Sequence, residues 1–61
     1  MKEMIGKTAS LVISRGGKDL FFTGVISSVS NTHITFKDKF NKVLSFNIEN
    51  VVEVHEVNSN G

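Results

Sequence analysis

All seven basic residues of this 61-residue chain, Lys2, Lys7, Arg15, Lys18, Lys37, Lys39 and Lys42, precede position 43. The segment after it carries Glu49, Glu53 and Glu56 and neither Lys nor Arg. Ammonium and guanidinium groups neutralise phosphates, and a cluster of them creates a local field even where the net charge is only +1. Phe40 stands among these cations, between Lys39 and Asn41. A large apolar ring in a polar turn either folds back to cap the fold, which is the favoured expectation, or meets a partner such as a stacking base. Asn31 and His33, in a second polar break, are candidates for polar contacts to bases.

Other chemistries lack their residues. There is no cysteine, which removes disulfides and thiolate metal sites. His33 and His55 stand far apart with no His-x-x-x-His or clustered carboxylates, so both read as surface histidines and no metal is expected. No serine sits in a nucleophile-elbow pattern, no glycine-rich loop has phosphate-loop spacing, and no carboxylates pair across a plausible cleft. A catalytic role and a cofactor are therefore not expected. The longest apolar runs, Leu11-Val12-Ile13 and Leu20-Phe21-Phe22, fall far short of the ~20 residues of a membrane-spanning helix. A soluble cytoplasmic protein without membrane contact is expected, in keeping with the absence of cysteine. The isoelectric point of 8.1 lies below the range above 9 usual for dedicated nucleic-acid domains.

The elements that must position the cations follow from the breaks. Proline is absent, and Gly16-Gly17, Ser30-Asn31, residues 38–42 with Asn41, and Glu49-Asn50 divide the chain into short segments. Segment 8–14 alternates Ala9, Leu11 and Ile13 with Ser10 and Ser14, the period of a half-buried strand. Segment 19–29 sets Leu20, Phe22, Gly24 and Ile26 on one parity, and a glycine there predicts a bulge or sharp bend. Its opposite parity, Phe21, Val25 and Val29, predicts an exposed apolar stripe suited to an interface. Segment 33–37 sets Ile34 and Phe36 on one face, and segment 43–48 sets Leu44, Phe46 and Ile48. Segment 51–57 is valine-rich. Met1, Met4 and Ile5 have the spacing of a short N-terminal helix or turn that would plug one mouth of the fold.

Five short strands with tight turns predict one all-β domain over 1–57, an antiparallel meander curled into a small barrel, followed by a polar tail at 58–61. Turns of a meander alternate between the two ends of its strands. The first turn (Arg15, Lys18) and third turn (Lys37, Lys39, Lys42) are therefore expected at one rim. The second and fourth turns are expected at the other.

The layout over 6–57 resembles the Sm-like (Lsm) family. The similar stretches are the glycine turn Ile13-Ser14-Arg15-Gly16-Gly17, the bent-strand core Phe22-Thr23-Gly24-Val25-Ile26, the alternating His33-Ile34-Thr35-Phe36, and the tight turn Ile48-Glu49-Asn50-Val51-Val52-Glu53-Val54. The outline is also similar to the C-terminal barrel of bacterial ribosome-maturation factors and to SH3-like barrels generally. The family's pore-side RNA motifs are not matched. Ser30-Asn31-Thr32-His33 stands where Asp-x-x-Met-Asn is expected, and Asn47-Ile48 stands where Arg-Gly is expected.

Two functions follow as expectations. The first is a binding module for nucleic acid, RNA above all, within a homo-oligomer or larger complex. Arg15, Lys18, Lys37, Lys39 and Lys42 would neutralise phosphates, and Phe40, Asn31 and His33 would touch bases. The alternative is a protein-interaction or oligomerisation module, an adaptor or an inhibitor of another protein. Its contacts would come from Phe21, Val25, Val52 and Val54. The resemblance implies edge-to-edge joining of a fourth strand to a neighbour's fifth.

Overall fold

Alternating apolar residues become strands wherever the sequence repeats them. A computed structural model of the chain describes residues 1–57, and the tail at 58–61 lies outside the described residues. The strands are β1 (Thr8–Arg15), β2 (Lys18–Val29), β3 (His33–Asp38), β4 (Val43–Asn47) and β5 (Val51–Glu56). All pairings are antiparallel, in one sheet of order β4-β3-β2-β1-β5. This is the all-β, five-stranded class expected. The sheet is open, with β4 and β5 at its edges, and is compatible with a small barrel-like fold.

β2 serves both halves of the molecule. Its first part, from Lys18 to Val25, pairs with β1, and its second part, from Gly24 to Val29, pairs with β3. Gly24 stands in both ladders, opposite Ala9 and Asp38. A Cβ there would lie 2.5 Å from the Lys37 carbonyl oxygen and 2.9 Å from the Phe36 ring. Only glycine lets the two strands approach this closely. The bend turns the β5-β1 half over the β3-β4 half, with the apolar faces inward. Ala9, Leu11, Ile13, Ile26, Ile34 and Phe36 are fully buried between them. Phe22, Phe36 and Phe46 pack as a triad with centroids 5.3–6.0 Å apart, the spacing favoured by aromatic pairs.

Two bulges alter the parity inferred from the sequence. The β2–β3 register slips between Ile26 and Ser28, so Ser27 is the extra residue, and its hydroxyl donates to the Thr35 carbonyl at 3.2 Å. Beyond that slip Val29 turns inward onto the core, so it does not join the stripe expected with Phe21 and Val25. On β5 the slip leaves Val52 as the extra residue between the Val51 and Glu53 pairings. Ile48 belongs to a 3-10 turn, Ile48–Asn50, rather than to β4. The Asn47 side chain, accepting from the Glu49 N–H at 2.8 Å, ends the strand first.

The N-terminal segment forms a 3-10 turn at Lys2–Met4, and Met4 packs against the core. It is tied to β2 by hydrogen bonds from Gly6 N–H to the Ile26 carbonyl and from Ile26 N–H to the Lys7 carbonyl. Among the described residues no helix is long and apolar enough to cross a membrane.

Candidate nucleic-acid interface

The β3–β4 turn carries the densest charge and is held rigidly. The Asp38 carboxylate accepts from the N–H groups of Phe40 (2.8 Å) and Lys42 (2.9 Å) through one oxygen. Asn41 N–H donates to the Asp38 carbonyl, and Asp38 N–H to the Lys42 carbonyl. Asn41 takes φ 65°, the left-handed conformation that closes a three-residue hairpin loop. Asparagine tolerates this region better than most residues. Lys39 and Phe40 are thus presented at the tip of a loop whose backbone polar groups are largely satisfied.

The expected cap does not form. Phe40 is 78% exposed, with the Lys39 ammonium 5.4 Å from its ring centroid. Its neighbours Lys39, Asn41 and Lys42 are also exposed, and the core below is already closed by the Phe22-Phe36-Phe46 triad. Phe21, on the outward parity of β2, is 76% exposed. Each ring forgoes about 1.5–3 kcal/mol that burial would supply. Phe21 and Phe40 line one open groove of about 290 Å³, together with Phe22, Thr23, Asp38 and Lys39. The groove exists because β3 stops opposite Gly24, leaving the β2 edge at 18–23 without a strand on that side.

The five turn cations have no carboxylate partner in ion-pair range among the described residues. Among the described residues the ion pairs are Met1 ammonium–Glu3, Lys7–Glu56 and His55–Glu53. None involves Arg15, Lys18, Lys37, Lys39 or Lys42, and all five are exposed. Arg15 and Lys18 face each other across the Gly16-Gly17 turn, whose glycines have φ 59° and 78°. That turn and the β3–β4 turn point the same way along β2. They are staggered by the six residue steps from Lys18 to Gly24, about 20 Å of strand. The basic surface is therefore a track that starts at the β1–β2 turn and passes the groove.

Asn31 and His33 lie elsewhere. The second turn is knitted locally: the Ser30 hydroxyl accepts from the N–H groups of Thr32 and His33, and His33 Nδ1 lies 2.9 Å from Thr32 Oγ1. It also meets the 3-10 turn before β5, through Ile48 N–H to the Thr32 carbonyl. β3 separates His33 from Asp38, so Asn31 and His33 do not join Phe40 in one site. Of the four candidate interface residues, Phe21, Val25 and Val52 are exposed, while Val54 pairs with Leu11 and packs on the core. Sequence reasoning overlooked Val43, exposed on the outer face beside Lys37, and Thr23 in the groove. The parity of β2 gives Thr23 the same outward side as Phe21. Among the described residues no group of three or more His, Cys, Asp or Glu is placed to hold a metal ion.

No family model matches the chain, and neither the curated proteins nor the solved structures include a match to it.

Proposed function

We propose that this chain is a non-catalytic module that binds nucleic acid, RNA in the first instance, along the basic track from the β1–β2 turn to the β3–β4 turn. The observation that carries this reading is the set Arg15, Lys18, Lys37, Lys39 and Lys42, exposed and, among the described residues, without a carboxylate in ion-pair range. Cations left unpaired at a surface keep their full attraction for phosphate oxygens. The Sm-like resemblance agrees in kind, although the track lies apart from the positions that would carry that family's pore-side motifs. The cysteine-free composition suits work in a reducing cytoplasm.

The test is binding of a labelled RNA single strand by fluorescence anisotropy across a salt series. Affinity falls as salt rises. In the Lys37→Ala/Lys39→Ala/Lys42→Ala variant the slope of log K against log salt becomes shallower by about 2, three contacts at ~0.7 each. An unchanged slope removes the track.

A second reading, self-association, draws on the unpaired edges of β4 and β5 and on exposed Phe21, Val25 and Val43. The bulge at Val52 weighs against it, because a kinked edge is a poor template for a neighbour's strand. Light scattering at two concentrations separates the readings: a strict monomer that still binds RNA leaves the first alone.

A further inference from the structure

Phe21 and Phe40 are the two aromatic rings of the chain that take no part in the Phe22-Phe36-Phe46 triad, and both line the groove beside the β2 edge. The groove's volume, about 290 Å³, sits at the lower limit of small-molecule sites, which suits one planar ring rather than a folded partner. Its lining carries Lys39 and also Asp38, whose carboxylate is engaged by the Phe40 and Lys42 N–H groups, and Lys37 and Lys42 stand outside the groove on the same hairpin. The loop that carries Phe40 is fixed before any ligand arrives, by the two N–H donations to Asp38 and by the Asn41 conformation. The backbone that presents the ring therefore needs no ordering when a ligand binds.

We infer that the groove takes an unpaired base of a single-stranded nucleic acid, stacked against Phe40 with Phe21 as the neighbouring wall, while the lysines hold the adjoining phosphates. The inference rests on the phosphate-binding reading above and adds the strand state of the ligand. Bases inside a duplex are stacked on one another and offer no face to a phenylalanine. A single strand offers a face at every nucleotide, and aromatic stacking accepts any base. The base takes the face of Phe40 that Lys39 does not cover, and the Lys39 ammonium, 5.4 Å from the ring centroid, is near enough to meet an adjoining phosphate.

The experiment compares three labelled probes of equal length by anisotropy: oligouridylate, an abasic ribose-phosphate strand, and an A-form RNA duplex. The native chain binds oligouridylate about tenfold or more tightly than the abasic strand. Phe40→Leu keeps an apolar side chain and removes the π face. It brings the two affinities together without changing the salt slope. Phe40→Trp retains the preference and adds an indole to a chain that has no Trp. Its fluorescence is quenched by oligouridylate and not by the abasic strand. Equal affinity of the native chain for both single strands overturns the base slot and leaves phosphate binding intact. Tighter binding to the duplex also overturns the slot. Absence of salt-dependent binding to all three probes sinks the phosphate reading itself. A concentration-dependent dimer lost in Phe40→Leu assigns the groove to a second copy of the chain and overturns the proposal.

Discussion

Gly24 sits where β3 presses tightly on β2, and its missing side chain is what makes that approach possible. A methyl group at this position would press on the Lys37 carbonyl, a backbone atom that cannot swing aside, and on the ring of Phe36, which is itself fully buried. Gly24→Ala is therefore expected to lower unfolding free energy by about 1–3 kcal/mol, the usual scale of overpacking. Urea denaturation followed by circular dichroism measures it, and an unchanged midpoint would show that β2 bends without needing the close approach. This residue was legible from sequence, since a glycine on the inward parity of a long strand opens a gap in the apolar face where another backbone can come close. Phe40 was not. Whether a ring in a polar turn folds inward depends on whether the core beneath still has room, and that is decided by Phe22, Phe36 and Phe46, distant in sequence.

The strands themselves could be read almost to the residue, because period-two alternation is a local property of the chain. Their bulges could not. Ser27 and Val52 carry no compositional mark of being unpaired, yet each reverses the side on which the following residues fall. That is why Val29 faces the core and the outward stripe is shorter than its sequence suggests. The turns are intermediate cases: Gly16-Gly17 announced a tight hairpin, and both glycines adopt positive φ as a type I′ turn requires. Gly17→Val places a β-branched residue at φ 78°, at a cost of about 1–2 kcal/mol. Its effect should appear as a lower melting temperature. The exposed turn has open space around the new Cβ, so the loss is conformational rather than steric.

At the scale of the molecule the fully buried core comprises six side chains among the described residues. A domain of this length has a stability of about 3–9 kcal/mol at 0.05–0.15 kcal/mol per residue. Phe36 touches both other members of the aromatic triad, and its removal costs about 3–5 kcal/mol. Phe36→Ala is thus expected to leave a large unfolded fraction at 25 °C. Loss of dispersion in the amide region of a two-dimensional NMR spectrum reports this, and a fully dispersed spectrum would mean that the core is held chiefly by its aliphatic members. The stagger of the basic track also belongs to this scale. Strand order alone put the first and third turns on the same side, but the register along β2, which sets the distance between them, comes from the long-range pairing of Gly24 with Asp38.

The last strand lies against the first, with Val57 N–H reaching the Thr8 carbonyl at 2.9 Å beyond the ladder itself. β1 therefore acquires its second neighbour only once Val51–Glu56 is in place. A polypeptide halted or clipped ahead of Val51 keeps β1 to β4 but leaves one flank of Leu11 and Ile13 bare. Loss of β5 consequently strips the most deeply buried strand of one whole side of its ladder.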